Sequence, residues 1–506
     1  MIQSNISKGA LISYISIFLN IVISLVYTPW MIHKVGVSDY GLYSLVSAFL
    51  SYFMLDFGLS GAIIRFVTKY RAEGKEEKIS NMLGITAKVY LIIDSVIFVI
   101  LFVLYFFLSN IFGGLTPEEI EKLKVLYCIA GTFSILSFLF MPVSGAMMAY
   151  EYFVENKILD LVVRVGTVLL IVVVLIFDGN VYHIVFITGA VGFGTSVVRY
   201  FVFAKKSSIK INWKYFEKSE LIALFSFSVW ILLVQLAQMF RLSLVPTILG
   251  IFSNTTEISV FSVGKNLEGM VYTIAAALNG LFLPVVSRMV HSGNRKGIMD
   301  LMIRVGRIQL FIIFLIFAGF FAFGERFIYL WVGETFHPSY FVFLFLVFVN
   351  VISLTLQIAM DFVYAENQIK HTATRVLLSS LVGIVLSIIV APKYGAIGCA
   401  AATGVSLILT QILYVDFYKR KMGLDMNLFF RKCHLKILPI LSLYTVGAYF
   451  IQRYVPFDGW TILLCMIVVY VIGYCAITWF ALADTYEKNL VLSFIPQKKN
   501  IEQNKQ

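Results

Sequence analysis

Apolar residues run through this chain in stretches of helix length, broken by short polar and basic turns, instead of alternating with polar ones. A bilayer core about 30 Å thick takes roughly 20 helical residues, and in lipid only helices and closed barrels satisfy their own backbone. The pattern predicts crossings at residues 10–33, 41–67, 85–109, 124–148, 157–177, 181–203, 220–248, 257–287, 299–323, 339–364, 370–391, 394–417, 435–453 and 459–482. The expected fold class is an all-α integral membrane protein with about fourteen transmembrane helices. Two pairs of spans are divided only by tight turns, at Asp178 and Gly179 and at Pro392 and Lys393.

The spans group into three segments: 1–204 and 205–421, each a six-helix lobe, and 422–506, which holds two further helices and a polar tail. Weak internal similarity relates the lobes, since Gly41-Leu-Tyr-Ser-Leu-Val46 follows an outer turn in the first and Ile258-Ser-Val-Phe-Ser-Val263 follows one in the second. Six helices per lobe give both the same orientation, as in repeats related by an axis along the membrane normal.

Composition strengthens this picture: 60% of residues are hydrophobic and 13% charged, against roughly 25% charged in soluble domains. The net charge of +12 changes meaning once the 40 Lys and Arg are placed. They concentrate in alternate loops, among them Lys69–Lys78, Lys205–Lys218 and Lys419–Lys436. Cytoplasmic loops carry the excess of Lys and Arg, so both termini are expected in the cytoplasm, and a nucleic-acid partner has no basis. The cysteines, at 128, 399, 433, 465 and 475, show no metal-binding or disulfide spacing. Neither a metal nor a cofactor is expected. The chain has no GxxxxGK[ST], HExxH or GxSxG motif and no loop large enough for a catalytic domain, so no enzyme is expected.

Ionisable residues inside the spans are the informative ones, because a charge at bilayer depth costs roughly 2.5–3.5 kcal/mol and calls for a polar cavity or a partner. The cations Lys88, Arg164, Arg199, Arg241, Lys265, Arg304, Arg307 and Arg375 outnumber the acids Asp56, Asp94, Asp160, Glu268 and Asp361. Arg241 and Lys265 lie deepest; Lys88, Arg164 and Arg304 lie nearer a surface, where their long stems also reach the headgroups. Arg241, Lys265, Arg164, Lys88 and Arg304 are the candidates for a cationic cavity, and Asp56, Glu268 and Asp94 for ion coupling or a structural role. Lys265 with Glu268, and Asp160 with Arg164, are spaced to neutralise one another along a helix. Asp361, close to a span end, is expected to be solvated. Pro29 and Pro284 are hinge candidates, beside Gly58, Gly61, Gly192, Gly194 and Gly280, which suit close helix crossings equally well.

Lys8-Gly9 before a long apolar helix, then Val35-Gly-Val-Ser-Asp-Tyr-Gly-Leu-Tyr43, then Asp56-Phe-Gly-Leu-Ser-Gly-Ala-Ile-Ile-Arg65, resembles the Wzx-type flippases of O-antigen and capsule repeat units. The Gly250 turn and Pro284-Val-Val-Ser-Arg288 are similar to that family too. The resemblance implies a fold shared with multidrug and toxin extruders, in which two six-helix bundles surround a cavity that opens alternately to each side. It implies a cargo of oligosaccharide joined through pyrophosphate to undecaprenol, a home in the bacterial cytoplasmic (inner) membrane, and membrane lipids and polysaccharide polymerase machinery as partners. Asp56 and Arg65 match the family's second-span pattern. In span seven, where many relatives carry an acid, this chain has Arg241. The rival expectation is an ion-driven extruder of cationic drugs on the same fold, against which the excess of in-span cations argues.

Overall fold

The computed structural model describes residues 2–207, 209, 211–276, 282–456 and 459–493, and among these it is helical, without a strand. Helix α1 (Ile2–Val35) turns at Gly36 into α2 (Val37–Ser51). Gly36 has φ +88°, a left-handed backbone that favours glycine. The second predicted span is broken: α2 ends at Ser51 and α3 (Leu59–Ala72) starts after Phe57 and Gly58, both at positive φ. Next come α4 (Glu76–Ile111), α5 (Pro117–Phe138), α6 (Met141–Ala149), α7 (Phe153–Ile176) and α8 (Val181–Ser207). Helix α5 starts sharply because Thr116 and Glu119 form a reciprocal capping box and Pro117 occupies the first turn.

Span seven is divided at Ser243 into α9 (Lys218–Leu242) and α10 (Leu244–Phe252). Span eight consists of α11 (Thr255–Ala276) and α12 (Leu283–His291), which flank residues 277–281; Gly280 falls there, outside the described residues. The remainder is α13 (Arg295–Val332), α14 (Pro338–Ser353), α15 (Gln357–Ala365), α16 (Ile369–Arg420), α17 (Met426–Phe430), α18 (Lys436–Arg453), α19 (Gly459–Ile477) and α20 (Thr485–Ser493).

Eleven helical stretches are long and apolar enough to cross a bilayer. The 52-residue α16 would extend about 78 Å at 1.5 Å per residue, far more than a membrane core. It is broken at Gly395, with φ +49° and ψ −134°, three residues beyond the turn predicted at Pro392. The carboxylate of Glu257 accepts the Ala396 N–H at 2.7 Å and holds that break. With α16 read as two crossings and the pairs α2/α3 and α11/α12 as one crossing each, the helices account for about fourteen spans. Span two is interrupted at Phe57–Gly58 and α16 at Gly395; α1 continues through Pro29, and Pro284 sits in the first turn of α12, close after residues 277–281, which lie outside the described residues.

The chain forms two compact units. Unit 1 comprises Met1–Met270, Phe341–Leu346 and Ile369–Thr410. Unit 2 comprises Val271–Tyr340, Val347–Gln368 and Gln411–Gln506. Unit 1 takes in parts of both expected lobes because they are tied together at one end. Glu119 Oε1 accepts hydroxyl hydrogen bonds from Ser38 and Thr255, each at 2.7 Å, and Ser259 donates to the Val37 carbonyl at 2.6 Å. A Cβ on Gly41 would stand 2.3 Å from the Thr255 carbonyl oxygen, so only glycine allows α2 and α11 to approach so closely.

Candidate functional site

In unit 1, α1 packs against α7 and α2. Asn20, Ser24 and Tyr27 are spaced by four and three residues, so they form one polar stripe on an otherwise apolar helix. Arg164 on α7 turns to this stripe: its Nη2 donates to Ser24 Oγ at 3.1 Å. The guanidinium also lies within electrostatic reach of Tyr27 and of Tyr43 on α2. Tyr43 reaches Ser47 and, on α8, Thr188.

Two atoms of the stripe, the Tyr27 hydroxyl and Asn20 Oδ1, are buried without a hydrogen-bond partner among the described residues. Arg164 has five N–H donors and directs one of them to a described partner, Ser24. Tyr40, whose ring is 6.4 Å from that of Tyr43, accepts from Asn266 on α11 at 3.0 Å. The result is a belt of phenols, hydroxyls and one arginine, rich in hydrogen-bond donors and suited to an oxyanion.

The other expected cations divide. Lys265 and the buried Glu268 interact electrostatically, one turn apart on α11 beside Asn266, so the predicted pairing along the helix is present. Arg241 is half-buried in the last turn of α9, beside the break at Ser243. Lys88 is directed away from the belt, donating to the Tyr215 carbonyl at 2.9 Å. Arg304 belongs to unit 2, where it is exposed and stacks 4.7 Å over the Tyr486 ring.

Asp160 does not neutralise Arg164; it binds Arg199 at 2.7 Å, with Lys157 at 3.7 Å. Asp56 caps α3, accepting from Ser60 N at 2.9 Å and from the Tyr90 hydroxyl at 2.6 Å. Asp94 is buried on α4. Asp361, expected to be solvated, is only 3% exposed and faces Gln357 at 3.5 Å, because α12 and α13 pack over α15.

Sequence reasoning missed the tyrosines. Their signal was the polar spacing within α1 and Tyr40 and Tyr43 at i, i+3 in α2. A cavity of about 150 Å³ in unit 2, lined by Arg295, Phe362, Glu366, Gln368, Lys421 and Met422, includes none of the expected site residues. Among the described residues no group of His, Cys, Asp or Glu gathers that would hold a metal ion.

Helix order and broken spans of this kind define a multi-pass α-helical fold suited to a membrane, and solved structures share the fold. The chain is similar to the lipid II flippase MurJ in an inward closed conformation, with TM-score 0.68 and 15% identity over 95% of this chain and 100% of that one. It is similar to an inward-facing multidrug resistance MATE family transporter of the MOP superfamily, with TM-score 0.66 and 12% identity over 82% and 99% of the two chains. The eukaryotic MATE transporter AtDTX14 matches with TM-score 0.58 and 16% identity over 86% and 100%. No curated protein matches the sequence. The polysaccharide biosynthesis protein family matches residues 35–341, and the chain belongs to that family.

Proposed function

We propose that the protein flips a polyprenyl-pyrophosphate-linked oligosaccharide across the bacterial cytoplasmic membrane by alternating access, with both termini in the cytoplasm. The observation that carries this reading is Arg164, on a helix apolar enough to cross the membrane, with most of its donors uncommitted among the described residues and an unpartnered buried phenol beside it. A pyrophosphate crossing hydrocarbon loses its hydration, and arginine with hydroxyl donors replaces that hydration. The polyprenyl tail stays in lipid throughout.

The family supports a role in polysaccharide biosynthesis, and the MurJ-like fold supports a lipid-linked cargo. With both termini in the cytoplasm, the Ser38–Glu119–Thr255 ties lie on the outer side, so their release is the step that opens the protein outward. The two six-helix lobes, residues 1–204 and 205–421, are the bodies that would rock, with the final helices as an appendage. Flipping makes and breaks no covalent bond, so the protein acts as a transporter without catalysis. Product consumption by polymerase machinery or an ion gradient supplies direction.

The rival reading, an extruder of cationic drugs, rests on the MATE likeness. It predicts an acidic site, whereas Arg164 faces the polar stripe of α1 and the neighbouring Asp160 is taken up by Arg199. Reconstituted protein in liposomes bearing a fluorescent lipid-linked oligosaccharide tests the choice. Transfer of the label between leaflets is expected; no transfer together with efflux of cationic dyes would overturn the proposal.

A further inference from the structure

Asp94 stands near the middle of α4, in one of the most apolar stretches of the chain. It is 6% exposed, and its Oδ1 is buried with no hydrogen-bond partner among the described residues. Its environment acts on it through desolvation, with no charged neighbour contributing.

The elements packed on α4 explain why. On α3 the titratable residues Arg65, Lys69, Tyr70 and Arg71 lie in the later turns, towards the end remote from Asp56. On α5, beyond its charged first turns, Tyr127 donates to the Leu101 carbonyl and Cys128 is exposed; α6 carries no titratable side chain. Lys88 of α4 itself is held by the Tyr215 carbonyl. A full negative charge at Asp94 would thus be buried without donor or cation, which is the costly arrangement for a carboxylate in a membrane protein.

One turn before Asp94 on the same face is Tyr90, fully buried, with its hydroxyl donating to Asp56 at 2.6 Å. Asp56 is half-buried and occupies the break of the second span, beside the left-handed Phe57 and Gly58. The Tyr90 phenol, one turn from the enclosed acid, is thus hydrogen-bonded to a second carboxylate at a point where the backbone is already interrupted.

We propose that Asp94 is a proton-binding site, filled and emptied through Tyr90 and Asp56, that links transport to proton movement. The proposal rests on the transport reading above for its purpose, and on Asp94, Tyr90 and Asp56 for its chemistry. One proton converts the carboxylate to a neutral carboxyl, and its release along the same route restores the charge. A metal cation is the wrong ligand, since hard cations need several oxygen donors and Asp94 offers one carboxylate.

Infrared difference spectroscopy on the full-length protein in lipid nanodiscs tests this without any cargo. The C=O stretch of a protonated carboxyl is expected to persist to a higher pH than the one at which ordinary carboxylates lose theirs, and that late-titrating band is expected to vanish in Asp94→Asn. Tyr90→Phe keeps the band and slows its shift in deuterium oxide at least tenfold. Absence of the band in the parent, or its persistence in Asp94→Asn, overturns the proposal. Should Asp94→Asn fail to insert, Asp94→Glu must retain a band at shifted frequency, and its loss there overturns the proposal equally. For the coupling, flipping by the parent is expected to respond to a pH gradient and flipping by Asp94→Asn is not; equal responses overturn the link. A protein that shows the band but moves no lipid-linked oligosaccharide would keep its proton site and lose its proposed cargo.

Discussion

Arg307 on α13 and Arg164 on α7 are both arginines on membrane-crossing helices, and their surroundings treat them in opposite ways. In unit 2, Arg307 is 3% exposed and enclosed by acceptors. Its Nε and Nη2 donate to the two carboxylate oxygens of Glu487 at 2.5 and 2.9 Å, and Nη1 and Nη2 donate to the carbonyls of Lys432 and Leu482 at 3.0 and 2.9 Å. Asp484 adds a carboxylate at 3.3 Å. In unit 1, Arg164 is exposed and has one hydrogen bond, to a serine. A guanidinium with four of its five donors committed to buried acceptors has little capacity left for a ligand; one with most donors open does. The difference separates a residue that holds the fold from one available to bind.

The largest effect should come from breaking the enclosed arginine. Arg307→Ala leaves the Glu487 carboxylate buried without its partner, an arrangement that costs about 3–5 kcal/mol. The expected outcome is loss of folded protein on thermal challenge in detergent, with α20 the first element to detach, read by protease sensitivity near residue 485. Wild-type stability in this variant would remove the structural assignment.

Arg164→Ala is the converse experiment. Its stability is expected to stay near that of the parent, because an exposed group with one bond contributes little to folding. Flipping of the fluorescent lipid-linked oligosaccharide is expected to fall at least tenfold, about 1.4 kcal/mol of lost stabilisation for the anion. Arg164→Lys should recover part of the rate, since lysine keeps the charge but loses the planar fork of donors. Tyr27→Phe sharpens the same contrast at smaller amplitude. It removes a buried hydroxyl that has no described partner, so folding is expected to be unchanged or slightly improved, while flipping drops a few-fold. A destabilised Tyr27→Phe would show that the phenol serves the fold.

The fold was legible because lipid imposes it: a crossing must be apolar over its whole length and satisfy its own backbone, and both demands are written locally. The polar turn predicted at Pro392 was displaced to Gly395 because a left-handed backbone and the Glu257 carboxylate, distant in sequence, determine where the chain bends. The site was less legible for the same reason. A cation's meaning depends on its partners, and partners come from other helices. Arg164 was paired on spacing with Asp160, which Arg199 takes instead. Arg307 drew attention as a buried charge, but its acidic partners lie beyond the last predicted span, where a polar tail carries no signal of burial. The stripe Asn20, Ser24, Tyr27 was visible in the sequence as polar spacing, and attention to charge alone passed over it.

Arg304 gives the smallest and most discriminating test. It lies one turn from Arg307 on α13, and sequence position alone makes the two equivalent. The structure separates them: Arg304 is exposed and rests 4.7 Å over the Tyr486 ring, a contact with the short α20. Such stacking at an exposed site is worth about 0.5–1 kcal/mol. Arg304→Ala should therefore lower thermal stability only slightly, far less than Arg307→Ala, and leave flipping at the parent rate. If an intact Arg304→Ala protein lost transport as Arg164→Ala is expected to, a guanidinium's surroundings would no longer sort binding cations from structural ones. The cargo's anion would then have to be met in unit 2 as well.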